Sequence, residues 1–241
     1  MRLFSIIWIL IFSLYSPLLE AQQTGTVDLL PSQAEYLETL YNSSAGAGRR
    51  FINGSEYRDS YIRASGHPFF LTTNWVKGML IMHGRSYDQL SVKYDIYRDQ
   101  LLYNHILESG AHPLVLNKTR IDSFTIRGHR FCHLRRIPGT DDRTDAGYYE
   151  ILSQGKARLY IKWRKRYNEP TVHSRGEFIQ TIDRYILNEG SFFRINRRWG
   201  LLRALGDRKK EIRTYIRRNR LLVGPGHEEE LKEIVEYYNA L

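Results

Sequence analysis

One cysteine, Cys132, stands alone in 241 residues, so the chain can form no internal disulfide and its stability has to come from packing. Acidic residues are in short supply: 26 Asp and Glu against 36 Lys and Arg leave a formal charge of +10, which favours anionic partners. There is no G-x-S-x-G elbow, no P-loop and no G-x-G-x-x-G, so the commonest signatures of nucleophilic hydrolysis, nucleotide hydrolysis and dinucleotide binding are missing. No period of about 20 to 50 residues recurs, which argues against a solenoid or propeller. Beyond Gln22 no apolar run approaches the ~20 residues of a spanning helix.

The one long apolar run is at the start. Arg2 precedes Leu3 to Leu14, then come Ser16-Pro17 and a stretch ending at Ala21 before Gln22 and Gln23. This predicts a signal peptide over residues 1–21, cut between Ala21 and Gln22. Leu19 and Glu20 fit the cut poorly, and an uncleaved N-terminal anchor is the alternative. Without a cysteine near residue 21, a lipid-modified start is not expected. The expectation is an exported protein, periplasmic or at the cell surface, with no membrane span in the mature chain and no nucleic-acid partner.

The remaining 220 residues divide by pattern. Residues 22–65 read as an N-terminal helix and linker: Ser32-Gln33-Ala34-Glu35 is a capping-box pattern, Ala34, Leu37, Leu40 and Tyr41 follow at helical spacing, and Ser43 to Gly48 is small and flexible. Residues 66–196 alternate with period two. Runs at 69–72, 77–82, 85–89, 92–97, 100–106, 113–117, 121–127, 129–135, 147–153, 157–164, 178–187 and 191–195 predict strands. His83-Gly84, Arg98-Asp99, Arg127-Gly128, Gln154-Gly155 and Glu189-Gly190 supply the turns. Gaps this short leave no room for helical crossovers, so the class is mainly β (α+β): a strongly curved antiparallel meander sheet or open barrel of about ten strands. Residues 197–241 return to helical spacing, with Asp207 placed to cap a helix over 208–219 and Glu228-Glu229-Glu230 opening a last one. The stripes Ile212, Tyr215, Ile216 and Leu231, Ile234, Val235, Tyr238 require this segment to dock on the sheet.

Arg194 to Arg220 holds eleven Lys or Arg against Asp207 and Glu211. Lys209, Arg213 and Arg217 repeat every fourth residue, so they share one helix side, with Lys210 and Arg218 adjacent. These five are the candidate anion-binding residues, matched to phosphate or carboxylate groups of envelope lipid or glycan. A merely solvated face is the plainer reading. Other clusters carry less. His129 and His133 share a strand face but stand roughly 13 Å apart, too far for one metal ion. His227-Glu228-Glu229-Glu230-Leu231 starts like a zincin helix but has Leu231 where a second histidine is needed. In Asp141-Asp142-Arg143-Thr144-Asp145, Arg143 takes a place where a calcium loop needs oxygen. No metal, cofactor or catalytic residue is implied. Asp95, Asp99, Glu108, Glu150 and Glu177 are carboxylates that spacing alone cannot pair. Rows of tyrosine on both strand faces suit packing, sugar stacking or an acyl chain.

Asn53-Gly54-Ser55-Glu56-Tyr57, Gly66-His67-Pro68-Phe69-Phe70-Leu71 with Trp75, Tyr94-Asp95, Ser123-Phe124 and Gly147-Tyr148-Tyr149-Glu150 with Lys156 carry a likeness, as do Asp207 to Ile212, Tyr215-Ile216, Asn219-Arg220-Leu221 and Glu236 to Leu241. On these the chain resembles a family of exported Bacteroidetes proteins with no assigned activity. The resemblance implies an envelope protein with a β body and helical tail, and transfers no site residue. The expected function is a non-catalytic envelope protein that meets anionic lipid or glycan through its basic helix. A periplasmic carrier of an amphiphile in an open barrel, and a hydrolase using carboxylates of the long loops 138–146 and 166–177, stay open beside it.

Overall fold

The computed structural model describes residues 52–58, 60, 61, 63–107, 110–136 and 146–241. The signal segment with its Ala21–Gln22 cut, the helix expected near 33–42 and the Asp141 to Asp145 turn lie outside the described residues.

Eleven strands form one sheet among the described residues: β1 (Ile52–Glu56), β2 (Val76–Met82), β3 (Arg85–Asp95), β4 (Gln100–Leu107), β5 (Gly110–Leu116), β6 (Ile121–Ile126), β7 (His129–Leu134), β8 (Gly147–Ser153), β9 (Arg158–Asn168), β10 (Glu177–Asn188) and β11 (Ser191–Arg194). Their order is β1-β5-β4-β3-β2-β6-β7-β8-β9-β10-β11, every pairing is antiparallel, and β1 and β11 are unpaired edges, so the sheet is open. The turns His83-Gly84, Arg127-Gly128 and Glu189-Gly190 have both φ angles positive, 48° and 75°, 50° and 83°, 48° and 75°. Such mirror-image turns follow the natural strand twist and hold these hairpins tight.

The meander expected from the turns breaks in one place. β6 pairs with β2, not with β5. Leu116 and Ile121 are five residues apart, so they are at most about 18 Å from each other. In a flat sheet four strand spacings of about 4.8 Å would separate β5 from β6, and Ile121 lies opposite Met82, far along β2 from the end that faces Leu116. The short link, which includes the 3-10 turn Lys118–Arg120, therefore forces β2–β5 to curl. Asp99, in the β3–β4 turn, buckles the curl: it accepts from Lys118 Nζ, from Lys162 Nζ on β9 at 3.1 Å and from the Tyr148 amide on β8 at 3.3 Å. Gly147 makes room for it, since a Cβ there would stand 2.1 Å from Asp99 Oδ2.

Three strand expectations change. The run at 69–72 is no strand: Phe69 makes a single bridge to Asp95 and Leu71 turns the chain at φ 54°. The runs at 85–89 and 92–97 merge into β3, where Asp88 and Gln89 bulge opposite Met79 and Gln89 takes φ 59°. β1 arises within the stretch read as linker and extends the sheet beyond β5.

The concave face packs in two apolar groups. Phe70, Leu80, Leu90, Tyr94, Leu101, Leu116, Phe124, Phe131 and Tyr148 fill the curl of β2–β8. Leu159 and Ile186 meet the tail, whose helices are α1 (Arg198–Ala204), α2 (Lys209–Asn219) and α3 (Glu228–Ala240). The expected stripe residues Ile212, Ile216, Leu231, Ile234, Val235 and Tyr238 are buried there. Tyr215 is half-buried and stacks on Tyr237 at 3.8 Å. The sheet's other face carries Tyr149, Tyr160 and Tyr185 around Phe192, so the tyrosines of both parities are packing residues.

Asp207 does not cap α2. The chain makes a 3-10 turn, Gly206–Arg208, and α2 begins at Lys209 without a side-chain cap. Asp207 instead accepts from Lys156 Nζ at 2.5 Å and from Tyr238 Oη at 2.8 Å. Tyr238 Oη in turn accepts from Asn188 on β10 at 3.1 Å. Beside it Asn239 reads the backbone of Ala157 in both directions, at 2.8 and 2.9 Å. This network and the apolar stripe together dock the tail.

Candidate functional site

The five expected anion-binding residues lie on α2 as its period requires. Ile212 and Ile216 turn inward, so Lys209, Lys210, Arg213, Arg217 and Arg218 are exposed. None of the five is in a salt bridge among the described residues; the nearby Glu211 pairs with Arg208. Arg198 donates to the Arg213 carbonyl at 3.3 Å, setting the start of α1 beside the middle of α2. Next to Arg198 in the chain, Trp199 is 63% exposed, with the Arg203 guanidinium 5.2 Å from its ring centre. Exposed cations of α2 and the amphipathic indole of α1 thus lie on neighbouring helices of the tail.

A second constellation was not anticipated. Phe131, Glu150, Ile161 and Arg184 face one another directly across β7, β8, β9 and β10. This row crosses the concave face between the two apolar groups, and it places a carboxylate where alternation puts core side chains. Glu150, its side chain 4% exposed, reaches diagonally both ways: Oε1 is 2.5 Å from His129 Nδ1, and Oε2 accepts from Trp163 Nε1 at 2.6 Å. Phe70 stands edge-on to both His129 and Trp163, at 5.1 and 5.2 Å. The open side is a cleft of about 280 Å³, floored by Leu152, Ile161 and Trp163 and rimmed by Gly226 to Glu230.

At that rim His227 Nδ1 is 2.8 Å from Glu230 Oε1. The Leu222 amide also donates to Glu230, and these two bonds, the amide first, hold its carboxyl below the usual range. Glu228 accepts from Arg184 Nε at 2.8 Å and from the Gly226 amide at 3.3 Å. The acidic first turn of α3 thus meets the positive helix start as its sequence predicts. No three His, Cys, Asp or Glu side chains are grouped for a metal ion among the described residues. His129 and His133 both lie on the concave side, but His129 meets Glu150 while His133 lies against Tyr148. Burial, aided by Lys118 and Arg135, pushes the His133 imidazole down to about 4. Burial pushes the Cys132 thiol up to about 11, which leaves it unreactive.

Another cleft, about 670 Å³, opens where β9 and β10 extend past the rest of the sheet. The long connection expected over 166–177 shortens to Glu169 to Gly176, because Asn168 and Glu177 still pair. Tyr61, Tyr167, Arg63 and Arg175 line this cleft, and the Tyr61 and Tyr167 rings are 4.6 Å apart.

The His129–Glu150 pair was legible in part. The period-two pattern puts Tyr148, Glu150 and Leu152 on one face, and a lone carboxylate on an apolar face signals a buried partner. The diagonal reach to His129 needed the β7–β8 register, which no local spacing supplies. Comparison with protein-family models, with curated proteins and with solved structures gave no match.

Proposed function

We propose that the chain is an exported envelope protein that adsorbs to anionic lipid through the cationic face of α2. The observation that carries this is the set Lys209, Lys210, Arg213, Arg217 and Arg218, exposed, without carboxylate partners among the described residues and held in fixed spacing by a helix whose other side is core. Trp199 beside that face favours a lipid surface, since an indole gains at the headgroup boundary what a purely polymeric glycan does not offer. The apolar N-terminal run and the resemblance to exported proteins support the location. No helix among the described residues is long and apolar enough to cross a membrane. Adsorption is favoured over the carrier reading because aromatic side chains, Phe70, Tyr94, Phe124 and Phe131 among them, occupy the sheet's concavity.

Each Lys or Arg near an anionic surface is worth ~1 kcal/mol, so reversing Lys209, Arg213 and Arg217 to Glu removes at least ~3 kcal/mol, or ~100-fold in affinity. Co-sedimentation with vesicles containing about one-third phosphatidylglycerol measures it. Binding should weaken with salt, fall at least ~100-fold in the triple variant and fall less in Trp199→Ala. Retention that ignores both salt and charge reversal overturns the proposal, and competition by a soluble acidic glycan but no vesicle binding moves it to glycan.

A further inference from the structure

The adsorbing face leaves the Glu150 cleft unexplained, and the chemistry there is specific. A carboxylate that is almost fully buried takes one indole N–H and one imidazole nitrogen, and it serves no other partner among the described residues. Trp163 Nε1 can only donate, so it holds one carboxylate oxygen in place. The other oxygen then accepts the Nδ1 proton of His129, which leaves Nε2 as the basic atom of a ring fixed in orientation. His129 is 35% exposed and lines the cleft, so this nitrogen can be reached. His227 repeats the arrangement at the rim, with Nδ1 on Glu230. Two imidazoles held through Nδ1 by carboxylates border one small cavity.

The lining also selects. Glu150, Glu228, Glu229 and Glu230 border the cleft and no Lys or Arg does so among the described residues, against the positive charge of the whole chain. An anionic substrate is disfavoured there. Leu152, Ile161 and Trp163 offer an apolar floor, and 280 Å³ holds roughly nine water-sized groups at ~30 Å³ each. That suits a small neutral or cationic molecule with an apolar part.

We propose that this cleft is a hydrolytic acid–base site acting on small neutral or cationic carboxylic esters, with His129 as general base and His227 as general acid. A water molecule loses a proton to His129 Nε2 as its oxygen bonds to the acyl carbon. The tetrahedral intermediate collapses with cleavage of the bond from acyl carbon to ester oxygen, and the leaving oxygen takes a proton from protonated His227. Ester and water give carboxylic acid and alcohol, and proton exchange with solvent restores both rings. Glu150 is a positioning residue. This departs from the non-catalytic expectation, and it stands independently of adsorption by α2.

The full chain is assayed on 4-nitrophenyl acetate, acetylcholine, ethyl acetate and, as the anionic carboxylic ester, monoethyl succinate. The first three should turn over and the anionic ester should not. His129→Gln should cost ~100-fold or more in kcat, the scale of general-base catalysis. His227→Gln should slow ethyl acetate far more than 4-nitrophenyl acetate, whose leaving group departs unprotonated. Glu150→Gln should reduce kcat and, unlike a merely structural change, shift the His129 tautomer seen by long-range proton–nitrogen NMR. The unmodified protein should show His129 protonated on Nδ1. Turnover equal in His129→Gln and unmodified protein, no turnover above buffer, or His129 protonated on Nε2 overturns the proposal. The NMR result decides even where a variant fails to fold.

Discussion

At Asp99 burial and charge pull on one carboxyl in opposite directions. Burial pushes it up, but Lys162 and Lys118, with hydrogen bonds from Lys118 and Tyr94, outweigh burial and hold it below the ordinary carboxylate range. The folded state therefore binds this proton less readily than the unfolded chain, so the stabilisation is complete above the unfolded value of ~3.9 and is lost as pH falls through the folded one. Asp95 has the opposite sign, because burial outweighs the bonds from the Arg98 amide and Tyr57 and raises it. It favours the fold below ~3.9 and loses that contribution as pH rises through its folded value. Lys162, 5% exposed, is drawn below the usual lysine range by burial more than Asp99 restores it. Asp99→Asn leaves that ammonium without its counter-charge, and a loss of ~3 kcal/mol at neutral pH follows from breaking a buried pair. Urea unfolding followed from about pH 7 to 2 should show this loss and a shallower acid limb in Asp99→Asn. An unchanged midpoint would remove Asp99 as the buckle of the curl.

At the scale of elements, α3 is held by an apolar stripe and by two polar readers, Tyr238 and Asn239. Leu231, Ile234 and Val235 are fully buried, and Ile234→Ala should cost ~2–5 kcal/mol. Asn239→Ala leaves the Ala157 amide and carbonyl without their partner and should cost ~1–3 kcal/mol, whereas Tyr238→Phe removes one hydroxyl from a bonded set and should cost ~1 kcal/mol. Denaturant midpoints of the three variants rank these losses, and a Tyr238→Phe cost above that of Ile234→Ala contradicts a tail docked mainly by burial. The helical periods were readable because 3.6-residue spacing is local. Asp207 misled for the same reason. Its position before a helix suggests a cap, but Lys156 and Tyr238, remote in sequence, compete for its oxygens and win.

For the whole molecule, the sheet's concave face carries two apolar groups, one in the curled β2–β8 wall and one under the helical tail, with the Glu150 row and its cleft between them. The described strands and helices belong to one compact unit, so they should melt together. Far-ultraviolet circular dichroism and tryptophan fluorescence should give coincident unfolding curves, and a separate helical transition would contradict shared packing. Alternation determined that the middle of the chain forms strands with an apolar face, although the bulge in β3 shifts that face and Tyr149, Tyr160 and Tyr185 bury the second face of β8–β10; the turn pairs determined where most hairpins close, and the switch to helical spacing determined that a tail must find an apolar surface. Those are local consequences of backbone geometry. The tertiary structure decided what local rules leave open: β6 crosses to β2, β1 lengthens the edge, and Glu150 meets His129 and Trp163 on neighbouring strands. Strand order and diagonal contacts depend on which chain segments meet after the sheet rolls, and the energy that selects them is spread over the whole core.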